Sequence, residues 1–187
     1  MNLILFGPPG AGKGTQAHHL VRKLKCLQIS TGDMLREEIQ KNTIIGKQII
    51  NDMNEGKFVN DEIVNKLIEN VIFDPKKKNK LIFDGYPRSI GQAKNLDLLL
   101  EKSNQKIDFI FFLNVNKETI IKRIEKRKIL EKRLDDDSMT ILKRYDTYME
   151  TTKPVLDFYS KKSNFYEIDG SLEINEITAK IDAFLNV

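Results

Sequence analysis

The chain has 187 residues, 40% of them hydrophobic and 31% charged, with a formal net charge of +4 and one cysteine. This length and apolar content suit one compact domain and exclude a disordered chain, and the lone Cys26 excludes an internal disulfide and a Cys-x-x-Cys zinc ribbon. No apolar run reaches membrane-spanning length and no secretory apolar region precedes Gly7, so a soluble, cytoplasmic protein is expected; its lysines, spread among acids, read as a solvated surface and not as a nucleic-acid patch.

The elements alternate along the chain. An apolar run, Leu3-Ile4-Leu5-Phe6, predicts the first strand. Gly7-Pro8-Pro9-Gly10-Ala11-Gly12-Lys13-Gly14-Thr15 follows, and then a helical period on Ala17, Leu20, Val21 and Leu24. Strand, glycine-rich turn and helix in that order make a phosphate cradle. The glycines let the backbone aim N–H groups at one centre, the helix N-terminus adds partial positive charge, and Lys13 adds a full one. Cys26 to Ile29 predicts a short strand, followed by a helix over Met34 to Gln40 with Thr31 or Asp33 as its expected cap. Ile44 to Met53 and a segment from Asp61 through Val71 predict two more helices. So many helices before the next strong strand suggest an inserted helical part.

Leu81-Ile82-Phe83-Asp84 predicts a buried strand ending in a carboxylate. Gly85-Tyr86-Pro87-Arg88 makes a turn, and Ser89 caps a helix through Leu100. Ile107 to Val115 reads as a central parallel strand. A helix is expected from Lys117 to about Arg127, then a short charged segment over Lys128 to Asp137. A further helix from Ser138 would turn Ile141, Leu142, Tyr145 and Tyr148 inward, and Pro154 would open or kink the next one. Phe165 to Asp169 predicts the last strand and Ile174 to Leu185 the closing helix. The predicted fold class is α/β, a P-loop type parallel sheet of about five strands flanked by helices.

Asp84, at a strand end, is either a carboxylate beside Mg²⁺ and its waters or a turn residue. Asp33 is either part of the same water shell or a helix N-terminal acid. Because Gly14 stands where P-loops usually carry Ser or Thr, phosphate and water should hold the metal, with no direct protein ligand. Arg36, Arg88, Arg123, Arg127, Arg133 and Arg144 lie near predicted element ends or on polar helix faces. Six guanidinium forks around a P-loop suit two polyphosphates brought together against their repulsion. That points to phosphoryl transfer between nucleotides; no Asn-Lys-x-Asp guanine-reading run is present. His18 and His19 are assigned no role.

Four runs together resemble the adenylate kinase family: the P-loop, Ser30-Thr31-Gly32-Asp33-Met34-Leu35-Arg36, Asp84-Gly85-Tyr86-Pro87-Arg88 and Arg133-Leu134-Asp135-Asp136-Asp137. The resemblance implies reversible transfer between Mg·ATP and AMP, giving two ADP. It implies that Gly10, Ala11, Gly12, Lys13, Gly14 and Thr15 hold the ATP phosphates, with Arg123 and Arg127 beside them and the backbone near Leu172 at the ATP base. It implies that AMP meets Thr31, Arg36, the backbone of Lys57, Phe58 and Val59, then Gly85, Tyr86, Pro87, Arg88 and Gln92. Arg133 and Arg144 would grip phosphates across the transfer path. Lys13, Asp84, Arg88, Arg123, Arg133 and Arg144 thus form the catalytic set. Residues 30–59 become an AMP-binding insertion and 128–136 a short lid, because only five residues separate Arg127 from Arg133. Lys132 stands where short-lid relatives often carry Gly, and Tyr86 where Phe is usual.

The expected cofactor is Mg²⁺ and not zinc, and the expected partners are ATP, AMP and ADP, with no nucleic acid and no membrane, in a monomer. Two alternatives stay open at this point. One is a UMP/CMP kinase on the same fold, against which Thr31 and Gln92 favour adenine. The other is a non-catalytic nucleotide-binding or RNA-associated module.

Overall fold

The computed structural model describes residues 1–131 and 138–186, and the side chains of 1–125 and 142–186. Five strands form one parallel sheet: β1 (Leu3–Phe6), β2 (Leu27–Ser30), β3 (Leu81–Asp84), β4 (Phe109–Asn114) and β5 (Phe165–Asp169), in the order β2-β3-β1-β4-β5. Strand alternation sorts the core into two layers. Ile4, Phe6, Phe83 and Ile110 face one side, against α2 (Thr31–Gln40), α3 (Ile44–Asn54), α4 (Asp61–Ile72), α5 (Ile90–Lys102) and α8 (Lys153–Tyr159). Leu3, Leu5, Ile82, Phe111 and Leu113 face the other, against α1 (Lys13–Leu24), α6 (Lys117–Glu131) and α9 (Ile174–Leu185). Both faces are covered, which is why the strands read as unbroken apolar runs. The predicted fold class therefore holds.

The register sets the place of the chemistry. Asp84 pairs with Leu5 on one side and Ser30 on the other, so the P-loop, Asp84 and the start of α2 share one sheet edge. From β1 the chain runs out to β2, returns through β3, and then crosses to β4 on the far side. The reversal flanks β1, and open α/β sheets bind ligands at the carboxyl ends of their strands beside such a reversal.

Several boundaries differ from expectation. β2 starts at Leu27 and runs through Ser30, and Ser30 caps α2, accepting from the Asp33 N–H at 3.3 Å. Thr31 and Asp33 are inside that helix, because the strand passes into it with no intervening turn. β4 spans Phe109–Asn114, shorter than the apolar run. α6 continues to Glu131, so residues 128–131, expected in the lid, are helical backbone. Lys132 and Arg133 lie outside the described residues, as does the Arg127 side chain. α7 (Ser138–Thr147) begins as expected, but Leu142 is 39% exposed, whereas Tyr148 is buried. Ile141 lies outside the described side chains. A π-helical turn over Tyr148–Thr152 joins α7 to α8 without a break, and Pro154 sits in the first turn of α8 just after it, where the wider winding takes up the residue that lacks an N–H.

α2 and α3 touch through Gly46. A Cβ there would sit 2.1 Å from the Glu38 carbonyl oxygen and 2.8 Å from the Ile39 Cα. Thr43 shapes this corner: its Oγ1 accepts from the Gly46 N–H at 2.9 Å and donates to the Glu38 carboxylate at 2.5 Å. Among the described residues no helix is long and apolar enough to cross a membrane.

Candidate active site

The P-loop leaves β1 at Gly7 and enters α1 at Lys13. Gly10 and Gly12 take φ values of +81° and +92°, which L side chains rarely adopt. Gly10 also makes room for α6, since a Cβ would lie 2.8 Å from Ile124 Cγ1. α1 has no side-chain cap and no acid in its first turn, so its leading N–H groups face the cleft with their partial positive charge. Lys13 Nζ donates to the carbonyl oxygens of Gly7 at 2.7 Å and Pro8 at 3.1 Å. The loop therefore holds its own lysine against the cradle.

A cleft of about 640 Å³ opens over the loop, bounded by Asp84, Arg36, Arg88, Arg123, Arg144 and Leu172. Beside it lies a smaller pocket lined by Thr31, Leu35, Lys57, Phe58, Val59 and Gln92. Arg36, Arg88 and Arg144 line both compartments. They stand at the passage between the two.

Arg88 is the most constrained of these. Its Nε donates to the Gly85 carbonyl at 2.7 Å, and its guanidinium carbon lies 4.8 Å from the Phe58 ring centroid. Its own carbonyl accepts from Thr152 Oγ1 at 3.1 Å. Burial pulls its pKa down to about 10, with Arg144 and Arg36 acting the same way and Asp84 opposing them. Arg88 stays charged at neutral pH, in a cluster of like charge that an anion would relieve. Arg36 pairs with Asp33 one turn away. Asp84 accepts from Gln28 Nε2 at 2.9 Å, a partner the sequence did not indicate.

The other expected residues divide. Thr31 Oγ1 donates to the Gly85 carbonyl at 2.8 Å, which ties α2 to the turn after β3. Arg123 borders the cleft, but its guanidinium donates to the carbonyls of Gly170 at 2.6 Å, Leu172 at 3.3 Å and Ser171 at 3.4 Å. It anchors the loop that carries Leu172. Lys57 lines the small pocket, and its Nζ pairs with Glu55 at 2.6 Å. The Tyr86 ring is turned into the core, 1% exposed, with its hydroxyl donating to Asn65 Oδ1 at 2.8 Å; burial pushes its pKa up to about 12. Tyr86–Pro87 is a cis peptide. Gln92 borders the pocket with its amide held at both ends, its Oε1 by the Arg88 N–H at 2.7 Å and its Nε2 by Asp61 Oδ1 at 2.6 Å. His18 is exposed, and His19 meets Asp182 at 3.2 Å.

Asp84 and Asp33 offer hard oxygen donors on the cleft, the kind Mg²⁺ takes. Among the described residues no three His, Cys, Asp or Glu side chains converge as a cage. The donor set thus fits a cation that brings oxygen ligands of its own from phosphate and water.

The family model described as adenylate kinase matches residues 5–164. An adenylate kinase of Pelagibacter ubique is 47% identical, with all of both chains covered. One of Hyphomonas neptunium is 43% identical over 99% of this chain and 98% of its own. One of Archaeoglobus fulgidus is 37% identical over 99% of this chain and 98% of its own.

Proposed function

The chain belongs to the adenylate kinase family and is a phosphotransferase acting on ATP + AMP ⇌ 2 ADP, and on that premise we propose which of its residues carry the transfer. The relatives named above are adenylate kinases and not UMP/CMP kinases, which supports an adenylate kinase over both a UMP/CMP kinase and a non-catalytic module.

In this reading the P-loop from Gly10 to Thr15 and the open end of α1 receive the ATP phosphates. Lys13 exchanges the Gly7 and Pro8 carbonyls for phosphate oxygen. Arg123 keeps the 170–172 backbone at the ATP base, with Arg127 beside the phosphates. AMP occupies the small pocket, with Thr31, Gly85, Pro87, Gln92 and the Lys57–Val59 backbone around it; Tyr86 contributes backbone only. Arg36, Arg88 and Arg144, with Arg133, draw the two phosphate chains into line. The observation that carries this is the sharing of three arginines by two adjoining compartments. Two polyanions repel, and the guanidiniums between them offset that repulsion and the charge that builds during transfer. The AMP phosphate is already an anionic nucleophile, so no protein base is required. Residues 30–59 would fold over AMP and 128–136 over ATP, excluding water that would otherwise hydrolyse ATP.

Mg²⁺, when bound with ATP, neutralises charge on the phosphates being parted. Asp84, steadied by Gln28, would hold its water shell, with Asp33 nearby. EDTA should therefore stop transfer yet leave the melting temperature of the nucleotide-free protein unchanged. Stoichiometric zinc in purified protein would contradict that expectation.

We read the protein as cytoplasmic, since its one cysteine is free and buried and asks for no oxidising compartment, and as a monomer on the family resemblance alone. The test of the whole reading is ADP formation from Mg·ATP with AMP, CMP, UMP or GMP. AMP should lead by a wide margin. Faster turnover of CMP or UMP would overturn the assignment of the small pocket.

A further inference from the structure

Asp61 opens α4 and touches no ligand in the reading above. Its two oxygens are divided between two partners: Oδ2 accepts from Ser89 Oγ at 2.5 Å, and Oδ1 accepts from Gln92 Nε2 at 2.6 Å. At the other end of the same amide, Gln92 Oε1 accepts from the Arg88 backbone N–H at 2.7 Å. Each of these partners works in one direction. A carboxylate accepts and a backbone N–H donates. A free glutamine amide can turn over and present either end. Between Asp61 and Arg88 it cannot, because turning it would set NH₂ against N–H and C=O against carboxylate. Gln92 is 4% exposed, so water does not compensate a turned amide.

That fixed sense matters for a purine. A glutamine amide has two N–H groups and two lone pairs, and the two anchors use one of each. One N–H and one lone pair remain for the pocket that Gln92 borders. Adenine offers an acceptor at N1 and a donor at N6. Guanine and hypoxanthine offer a donor at N1 and an acceptor at O6, the reverse pair. One orientation of the amide therefore matches only one of the two classes.

We propose that Asp61 is the positioning residue for purine selection: it holds the Gln92 amide in the orientation that accepts adenine and rejects 6-oxopurines. The inference rests on the reading of the small pocket as the AMP site. It assigns a specificity function to a helix-opening residue that lies outside the pocket lining.

The experiment measures kcat and KM for AMP and GMP in the full chain carrying Asp61→Asn, Asp61→Ala, Gln92→Ala or Ser89→Ala, each checked for folding by circular dichroism. Asp61→Asn keeps the shape and removes the one-way acceptor, so it guards against a failure of the alanine variant to fold. Both Asp61 variants should raise KM for AMP about tenfold, the weight of one lost hydrogen bond. Their kcat at saturating AMP should stay within about twofold, and the AMP-to-GMP ratio of kcat/KM should fall about threefold or more, the Arg88 N–H alone still opposing a turned amide. Ser89→Ala removes the other partner of Asp61 and the cap of α5, so it should lower the melting temperature but keep the ratio. A merely structural Asp61 would instead behave like Ser89, with lost stability and an unchanged ratio, and that result overturns the proposal. The Gln92→Ala arm separates the two levels. If it raises KM for AMP while the Asp61 variants keep the wild-type ratio, the pocket reading stands and the Asp61 inference falls. If it leaves KM for AMP unchanged, the pocket reading falls, and the inference with it.

Discussion

Arg88→Ala is expected to lower kcat roughly 10²-fold or more, the loss typical of a buried electrostatic stabiliser, with little change in melting temperature. The two halves of this forecast have separate causes. Arg88 borders both compartments, so its fork meets charge that moves from one nucleotide to the other. A contact that strengthens in the transition state is lost from kcat. Stability follows the opposite logic. Arg88 is a base whose pKa burial and Arg144 pull down to about 10, below its unfolded value. Below that pH both states carry the charge and the folded one bears the penalty, so the guanidinium works against folding at neutral pH. Removing it relieves that penalty and offsets the lost bond to Gly85 and the lost stacking on Phe58. Arg88→Lys should recover little rate, because an ammonium has neither the fork nor the planar face. Single-turnover rates and a thermal melt decide the matter. An unchanged single-turnover rate in Arg88→Ala would remove Arg88 from the transfer path.

Gly46→Ala is expected to destabilise the fold strongly. The new Cβ would meet the Glu38 carbonyl oxygen at 2.1 Å and its carbon at 2.5 Å, both main-chain atoms of α2. Main chain cannot swing aside as a side chain can, so α2 and α3 must separate. Overpacking of this kind costs about 3 kcal/mol. For a chain of this size that is a fall of very roughly 6–12 °C in melting temperature. KM for AMP should rise as well, because α2 carries Thr31 and Arg36. A melt within about 1 °C of wild type would show that the corner gives way easily.

The sheet and most helices were legible because their signals are local. β1, β3, α5 and α9 follow from apolar period, a strand-end acid or a capping serine within a few residues. The P-loop is legible for the same reason, since glycines, lysine and helix start are consecutive. The supports of the site were not. Asp61 reaches Gln92 across 31 residues, Gln28 reaches Asp84 across 56, and Thr152 reaches Arg88 across 64. Each looks like an ordinary polar residue of its own element, and only the fold brings the partners together. Gln92 was legible as a pocket residue, whereas its two anchors were not. Leu142 shows the limit of periodicity: it is spaced as a core residue, yet α7 turns it outward. The Ser30 cap has no sequence signal of its own, because the strand passes into the helix without the usual turn.

The π-turn after α7 has a consequence for chain length. Arg144 and Val155 are eleven positions apart, about three turns of an ordinary α-helix, which would place them on nearly the same face. Val155 is wholly buried in the core, and Arg144 borders the nucleotide cleft. The wider turn over Tyr148–Thr152 rotates the chain less per residue and lets the two face different ways. Val155, Leu156 and Tyr159 can then keep their seats while the arginine is presented sideways. Point changes at exposed Met149 leave this phase intact. Losing one residue there while regaining regular winding would put the two ten positions apart, a rotation of about 1000° that nearly reproduces the phase the wide turn gives, so both the guanidinium and the aliphatic face would keep their places. The wide turn is thus a place where the chain absorbs a change of one residue in length without re-aiming the arginine, whereas one residue gained or lost within the regular part of α7 has no such outlet and rotates the guanidinium by about 100°.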